Sequence, residues 1–427
     1  MHPSTKRPRL DTVDILRGFA LFGIMLAHFI HWYTAGPLPQ AVFNKFGDAG
    51  TGTAEIINNL LVTGKFFSFF SFLFGLSFYL QLRSLEDQPQ TFVRRFAWRL
   101  ALLMLIGLIH HAFWLGDILS IYVPLGFVLL LLRRLSDRWV LALGLLLVAN
   151  VPGRMMGLVS LLSGSMPAGF AGFESMGQAY EAVVARGSLA DILRFNLMHF
   201  GTKFEFQVVS GRLFITLGFF LLGMYTGRKG WFDLGLHCRP VFQKVWKRTL
   251  ALSAVCLLLA LGLAGASKLW NLGFFQNPWI NFGFMGLYDL FNAALTLSII
   301  TGLTLATFRK SGKQWMRHLA PVGKMALTSY LAQTAFGLLL FFGIGFGLYG
   351  LTSPGLNYLL AIAFFVLQVG ISHWWLRYFH YGPVEWLWRS GTLMHRQPLK
   401  RRPKSLSPDE SLPPDYVPEW PAGNLKV

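Results

Sequence analysis

Charged side chains are scarce in this chain of 427 residues. Asp, Glu, Lys and Arg together make up 13% of it, whereas hydrophobic residues make up 54% and the mean hydropathy is +0.48. A typical soluble domain has about 25% charged residues, because its surface faces water. The composition therefore excludes a soluble globular protein and predicts a chain that crosses a membrane several times.

Cysteine is nearly absent as well, since only Cys238 and Cys256 occur. We expect Cys238 in a cytoplasmic loop and Cys256 within a membrane span, so the two should not form a disulfide with each other. Neither belongs to a spacing typical of metal or redox sites. The sequence therefore predicts no metal site and no tightly bound cofactor.

Long hydrophobic segments, in contrast, are abundant. Each predicted span is long enough for the roughly 20 residues that cross a hydrocarbon core of about 30 Å. The ten predicted spans are residues 15–33, 56–82, 98–115, 117–132, 138–160, 208–227, 249–270, 284–307, 325–347 and 356–378. The first is too long for a signal peptide and further spans follow it. We therefore predict an all-α fold, a polytopic membrane helix bundle of about ten transmembrane helices.

Acidic residues are half as frequent as basic ones, 19 against 38, which gives a net charge of +19. The basic residues cluster in alternate connecting segments, near residues 6–9, 83–95, 133–138, 228–248, 309–317 and 396–404. Positive loops mark the cytoplasmic side, so we expect both termini in the cytoplasm and the bundle in a bacterial inner membrane. Because topology accounts for the charge, membrane lipids are expected partners and nucleic acid is not.

The bundle is predicted to occupy residues 1–378, with a polar outer segment at residues 161–207. Within that segment SLADILRFNLMHF has apolar residues at helical spacing, which predicts a short amphipathic helix on the outer surface. Residues 379–396 are predicted to form an interfacial element that places Trp386 and Trp388 at headgroup level. The basic, proline-rich residues 397–427 are predicted to be a disordered cytoplasmic tail.

A repeated spacing of arginine and histidine is the main functional signal. Arg17 precedes His28 by eleven residues in the first span, and Arg99 precedes His110 by eleven in the third. Eleven residues of α-helix rise roughly 16 Å and complete almost three turns, so each pair shares one helix face. The spacing predicts two helices that each hold a cation near the cytoplasm and a proton acceptor deeper in the membrane.

Ionisable residues inside spans are costly and usually face a bundle interior or a watery cavity. His28 and His110 can be catalysts or buried core residues, whereas His31 and His111 are expected nearer the interface. Lys65 can contribute to a polar cavity or be neutralised by Asp117. The predicted catalytic residues are His28 and His110. The predicted substrate-binding residues are Asp14, Arg17, Lys65, Arg99 and Asp117.

Arg17 itself has two interpretations. It can pair with Asp14 at spacing i, i+3 and fix helix packing, or it can present its guanidinium to a phosphate-bearing substrate.

Several motifs resemble those of one bacterial family. They are RLDTVDILRGFALFGIMLAHF, FSFLFGLSF, RLALLMLIGLIHHAFWLGDILSIYVPLG, FLLGMYTGRKG, GKMALTSYLAQT and GPVEWLWR, in that order. From about Arg9 to Arg389 the chain resembles the YeiB-like membrane proteins, classed as domain of unknown function 418. That family is distantly similar to the transmembrane acyltransferase superfamily, whose first-helix pattern falls here on Asp14, Arg17, Gly18 and His28.

The resemblance implies transfer of an acyl group, with acyl-coenzyme A as a possible donor substrate. In that superfamily the arginine and histidine of the first helix are implicated in donor handling and catalysis, which would assign those roles to Arg17 and His28 here. The chain shows no independent motif for binding an acceptor.

A transporter or flippase of an amphipathic or lipid-linked molecule is the competing class. Helices of such proteins are often interrupted by Gly and Pro around the site, and Pro124, Gly126 and Pro152 could serve in that way. A scaffold or sensor without turnover is a third class, against which the number of intramembrane ionisable residues argues.

Overall fold

The computed structural model describes residues 11–37, 43–46, 49–84, 89–164 and 168–401. Within these residues every regular element is a helix, which confirms the predicted all-α fold. The α-helices are α1 (Asp11–Ala27), α2 (Ala49–Ile57), α3 (Phe66–Arg83), α4 (Pro89–Phe113), α5 (Leu119–Leu132), α6 (Asp137–Val148), α7 (Val151–Ser163), α8 (Ala168–Arg186), α9 (Leu189–Met198), α10 (Phe200–Val209), α11 (Arg212–Arg228), α12 (Arg239–Leu269), α13 (Pro278–Thr307), α14 (Lys310–Met316), α15 (Ala320–Lys324), α16 (Ala326–Phe341), α17 (Pro354–Tyr378) and α18 (Pro383–Leu393).

Six helical segments of the described chain are long and apolar enough to cross a membrane. They are Asp11–Trp32, Gly50–Arg83, Thr91–Phe113, Gly235–Leu269, Pro278–Thr307 and Pro354–Tyr378. The number rises to 8 if the bent pairs α6–α7 and α10–α11 each form one span, and the apolar helices α5 and α16 are shorter. These helices confirm a polytopic membrane bundle. The count of ten and the side of each terminus stay predictions.

Breaks interrupt several predicted spans. The span predicted at residues 56–82 has a π-helical turn at Asn58–Val62 and then Gly64 with φ of 83°, so Lys65 lies at a break before α3 and not within a helix. The axes of α6 and α7 differ by 42° at left-handed Asn150, and those of α10 and α11 by 70° at left-handed Gly211. A left-handed residue cannot continue a right-handed helix, which accounts for these bends.

Glycines bring the central helices into close contact. A Cβ atom on Gly75 of α3 would overlap the carbonyl oxygen of Phe220, and one on Gly223 of α11 would overlap that of Phe72. In the same way Gly323 of α15 lies against the Asp14 carbonyl of α1. Small residues allow backbones in a membrane to approach and gain dispersion contacts. The last of these contacts brings α15 beside the Asp14 turn of α1.

The predicted outer segment, residues 161–207, contains α8, α9 and most of α10. The amphipathic helix predicted within SLADILRFNLMHF is α9, which begins with a capping box between Ser188 and Asp191. This helix packs against α4 and does not stand apart from the bundle. The outer segment therefore covers the histidine-bearing end of α4.

The C-terminal element, predicted at residues 379–396, contains α18. This helix packs against α4 and α16. Beyond it the backbone N–H of His380 donates to the Leu399 carbonyl at 2.8 Å, so residues 398–401 run beside the end of α17. Residues 402–427 of the predicted tail, like the basic residues before Asp11, lie outside the described residues.

The predicted topology can be tested by cysteine labelling in intact cells. We expect Glu181→Cys to react with a membrane-impermeant maleimide and Lys244→Cys to react only after the cells are opened, because basic loops stay on the cytoplasmic side. The parent protein is the control, since Cys238 and Cys256 are 7% and 2% exposed. Labelling of Lys244→Cys from outside would show that the span count is wrong.

Candidate functional site

A cavity of about 290 Å³ lies between α1, α3, α4, α5, α16 and α18. Arg17, Arg99 and Arg389 line one end of it, which we call the arginine end. The cavity follows α4 from Arg99 to Leu103, and its walls are mostly apolar side chains of α1, α3 and α4. It is an amphipathic pocket, because cations lie at one end and hydrocarbon lines its length.

Arg17 is held in place by three groups at the arginine end. Its guanidinium donates to Asp14 Oδ1 at 2.9 Å, to Ser77 Oγ at 2.9 Å and to the Gly323 carbonyl at 3.4 Å. The predicted ion pair with Asp14 is present, and the Arg17 side chain remains 20% exposed. Arg17 therefore both ties α1 to its neighbours and presents charge to the cavity.

Arg99 is positioned by stacking. Its guanidinium carbon lies 3.7 Å from the centroid of the Trp388 ring, and Trp388 Nε1 donates to the Arg99 carbonyl at 3.0 Å. Arg17 and Arg389 are close enough to repel the Arg99 guanidinium electrostatically. Arg99 and Arg389 also line an adjoining cavity of about 200 Å³ together with Arg95. The arginine end thus offers several cations to an anionic ligand.

Glu385 of α18 also lies at the arginine end, and its carboxylate accepts hydrogen bonds from the start of α16. Glu385 Oε1 accepts from the backbone N–H groups of Leu327 at 2.6 Å and Thr328 at 3.0 Å, and Oε2 accepts from the Thr328 hydroxyl. Burial raises the pKa of the Glu385 carboxyl, and the hydrogen bonds from Thr328 oppose this rise. The carboxylate therefore caps α16 and docks the C-terminal helix.

The inner end of the cavity is closed by Tyr330. Ile118 and Leu119 line this end beside it, and the Ile118 N–H donates to the Tyr330 hydroxyl at 3.3 Å. The Tyr330 ring lies with its centroid 5.0 Å from that of His110 and 6.2 Å from that of His28. Tyr330 therefore separates the cavity from both predicted catalytic histidines.

His110 is part of a hydrogen-bonded array behind Tyr330. Its Nδ1 lies 2.7 Å from Asp117 Oδ1, and its Nε2 lies 2.9 Å from Thr334 Oγ1. Asp117 also accepts from the backbone N–H groups of Leu119 at 3.0 Å and Ser120 at 2.8 Å. Since a carboxylate only accepts hydrogen bonds, His110 carries a proton on Nδ1 and its Nε2 can act as the acceptor.

His28 lies on the other side of the same aromatic residues. Its ring centroid is 4.7 Å from that of Trp114, and the corresponding distance for His110 is 5.6 Å. Within the described part of the chain His28 Nδ1 is buried and has no hydrogen-bond partner. The two histidines thus face the shared pair Trp114 and Tyr330, one from the π-helical turn His28–Trp32 that follows α1 and one from α4.

Lys203 of α10 joins this array from the outer segment. Its Nζ lies 3.8 Å from Asp117 Oδ2, donates to Ser120 Oγ at 3.1 Å and lies 3.0 Å from His111 Nδ1. His111 Nε2 in turn lies 2.8 Å from the Asn196 carbonyl oxygen. His111 is completely buried, with Asn196 and Lys203 of the outer segment against its ring, and the expectation that it lies near the interface stays a prediction.

Lys65 does not belong to this arrangement. Its Nζ donates to the Asn59 carbonyl at 2.8 Å and lies 5.0 Å from the centroid of the Phe291 ring. Among the described residues no ion pair joins Lys65 to Asp117, whose cationic neighbour is Lys203. Pairing of Lys65 with Asp117, one of the two interpretations of these charges, is therefore wrong.

The structure thus brings the predicted site residues into three places. Asp14, Arg17 and Arg99 lie at the arginine end, whereas Asp117 and the two predicted catalytic histidines lie behind Tyr330. Lys65 lies apart from both. The described residues contain no group of three or more His, Cys, Asp and Glu side chains that could hold a metal ion.

The sequence reasoning missed Tyr330, Thr334, Lys203 and Arg389. Tyr330 and Thr334 are polar and one turn apart in the apolar helix α16, and this spacing is the signal that could have pointed to them. The other two gave no comparable signal, since each lies in a polar or interfacial stretch.

Two curated proteins are similar to this chain over nearly its whole length. Residues 226–395 match the family described as "Protein of unknown function (DUF418)". The chain is 28% identical to protein YxaH of Bacillus subtilis (strain 168), over 95% of this chain and 99% of that protein. It is also 28% identical to protein YeiB of Escherichia coli (strain K12), over 90% of this chain and 96% of that protein. Both relatives are described as uncharacterized.

No solved structure matches the chain. The family match over residues 226–395 and the two relatives nevertheless support the resemblance to the YeiB-like DUF418 proteins that the sequence motifs indicated.

Proposed function

We propose that this protein transfers an acyl group from a thioester donor, acyl-coenzyme A in the simplest case, to an acceptor at or across a bacterial inner membrane. One observation carries the proposal: a single amphipathic cavity has arginines at one end and an Asp117–His110 pair behind the other. Arg99 and His110 are eleven residues apart on α4, which separates them by roughly 16 Å. That distance suits a donor with an anionic head and a long thiol-bearing arm.

The arginine end holds the phosphates of the donor in this proposal. Arginine binds phosphate oxygens with two parallel hydrogen bonds, which fixes position as well as supplying charge. Stacking on Trp388 limits the orientations of Arg99, so less entropy is lost on binding. With the head fixed there, the apolar walls guide the arm toward Tyr330 and present the thioester near the histidines.

His110 is the base of the reaction in this proposal. Asp117 accepts a hydrogen bond from His110 Nδ1, orients the ring and stabilises the imidazolium that forms when Nε2 takes a proton. The attacking hydroxyl bonds to the thioester carbonyl carbon as it gives its proton to His110 Nε2. The carbon–sulfur bond breaks, and the leaving thiolate takes that proton from His110. The proposal gives His28 the role of binding a polar atom of the reacting group, which is supported by a buried Nδ1 that has no partner within the described residues.

Release of free thiol from acyl-coenzyme A by the purified protein tests the proposal. We expect His110→Gln to lower the release rate by at least about 100-fold, the usual contribution of a general base, while the protein stays folded. His28→Gln should also lower the rate, since it removes the second group that faces the reacting centre. Both variants keep side-chain volume and some hydrogen bonding.

The matched control is His237→Gln, because His237 is exposed and lies outside both cavities. Its rate should equal that of the parent protein. Unchanged thiol release by well-folded His110→Gln would contradict the assigned role of His110.

Transport of an amphipathic molecule is a second candidate, and the helix breaks favour it. The bends at Asn150 and Gly211 contact each other, since a Cβ atom on Gly211 would overlap the Asn150 side chain. Broken helices that meet within a bundle are common around transport sites. Movement of an intact lipid across a proteoliposome membrane, with no thiol released from acyl-coenzyme A, would favour transport over transfer.

A further inference from the structure

The Thr334 hydroxyl has a defined direction in the buried array. In the neutral imidazole, the proton that Asp117 requires on His110 Nδ1 leaves Nε2 as the acceptor, and the hydroxyl within 2.9 Å of Nε2 then donates to it. Thr334 has a single hydroxyl proton, so the Tyr33 hydroxyl at 3.0 Å is the donor to Thr334 Oγ1. The hydroxyl, the imidazole and the carboxylate are therefore aligned, with the proton of Thr334 directed at the base.

This order matches the geometry of an activated nucleophile. In such sites a hydroxyl donates to an imidazole whose other nitrogen is held by a carboxylate. A threonine with a purely structural role in a helix usually bonds to the carbonyl four residues earlier. For Thr334 that carbonyl belongs to Tyr330 and lies 3.5 Å away, farther than His110 Nε2.

We propose that Thr334 is the nucleophile and carries the acyl group as a covalent ester between donor and acceptor, an inference that rests on the proposed acyl transfer. In the first step Thr334 Oγ bonds to the thioester carbonyl carbon and gives its proton to His110 Nε2. The carbon–sulfur bond breaks, and the leaving thiolate takes that proton. In the second step an acceptor hydroxyl or amine, or water, bonds to the ester carbon and gives its proton to His110 Nε2. The bond between that carbon and Thr334 Oγ breaks, and the leaving Thr334 oxygen takes the proton back from His110.

The position of Thr334 relative to the cavity explains why two steps suit this protein. Thr334 is 2% exposed and lies one helical turn beyond Tyr330, which closes the inner end. In this proposal the thioester reaches Thr334 only after the Tyr330 ring turns away from Ile118, whose N–H donates to the Tyr330 hydroxyl at 3.3 Å. An acyl group held on Thr334 lets the donor leave through the arginine end before an acceptor arrives from elsewhere.

Acyl capture on the purified, full-length protein tests the inference. The protein is mixed with acetyl-coenzyme A or palmitoyl-coenzyme A, quenched in acid and measured by intact mass and peptide mapping, with released thiol measured in parallel. We expect an acyl adduct on Thr334 and a burst of about one thiol per chain. Thr334→Ser should keep an adduct on the new hydroxyl, whereas Thr334→Val and His110→Gln should lose it.

The control variant is Thr304→Val, a buried threonine of α13 whose hydroxyl donates to the Ile300 carbonyl at 2.7 Å. Its adduct should equal that of the parent protein. Thiol release without an adduct, together with normal turnover by Thr334→Val, would overturn the inference and leave the acyl transfer standing. An adduct on another residue would overturn it as well. Absence of thiol release from the parent protein with either probe would instead overturn the proposed function, and the inference with it.

Discussion

Asp117→Asn is expected to lower thiol release from acyl-coenzyme A by about 10³- to 10⁴-fold, as loss of the orienting carboxylate does in other hydroxyl–imidazole–carboxylate sites. An amide can donate as well as accept, so Asn at this position no longer requires the proton of His110 to be on Nδ1. In the tautomer with the proton on Nε2, this nitrogen has no lone pair to accept from the Thr334 hydroxyl. The imidazolium formed during attack also loses its neighbouring negative charge. The measurement is the rate of thiol release by detergent-purified protein of verified fold.

A second effect of Asp117→Asn has to be separated from the first. The substitution leaves Lys203 buried beside an uncharged amide, and an unpaired buried charge costs about 3–5 kcal/mol of stability. The double variant Asp117→Asn/Lys203→Met removes that charge, so it should regain thermal stability and remain inactive. Recovery of turnover in the double variant would show that Asp117 acts only through folding.

Arg99→Gln is expected to weaken binding of coenzyme A by about 10- to 100-fold, since a hydrogen bond to a charged group contributes about 1.5–3 kcal/mol. Turnover at saturating donor should change much less, because in the proposed site Arg99 binds the head of the donor and not the reacting carbon. Arg99→Lys should also weaken binding, because lysine keeps the charge but loses the planar fork and the stacking on Trp388. Calorimetry at fixed ionic strength gives the dissociation constants.

The control for this prediction is Arg94→Gln on the same helix. Arg94 is exposed and lines neither cavity, so its removal lowers the net charge equally without altering the site. Equal weakening by Arg94→Gln and Arg99→Gln would mean that coenzyme A binds by general attraction to a basic surface.

The helix bundle could be predicted from composition because a segment that crosses lipid has to be a long apolar helix, and long apolar segments can be recognised directly in the sequence. The contact between Asp14 and Arg17 was also predictable, since it depends on one helical turn. The break before α3 could not be predicted from the sequence. An apolar segment that contains Gly64 is compatible with a continuous helix, and only the positive φ of the glycine shows the break.

The remaining site residues depend on contacts between distant parts of the chain. Lys65 and Lys203 are equally plausible neighbours for Asp117 by charge alone, and only the packing of the outer segment against α4 selects Lys203. The alignment of Thr334 with His110 joins residues 224 positions apart. Such contacts depend on how whole helices pack together, so they cannot be predicted from the local periodicity of the sequence.

The docking of α18 has a consequence for biosynthesis. Arg17 and Arg99 enter the membrane early, whereas Trp388, Glu385 and Arg389 are among the last residues of the described chain to leave the ribosome. Until Glu385 reaches the start of α16, the arginine end lacks one wall and Arg99 lacks its stacking partner. Assembly of the pocket therefore has to wait for α18, so a nascent chain that ends before this helix has its first helices in place with the pocket incomplete.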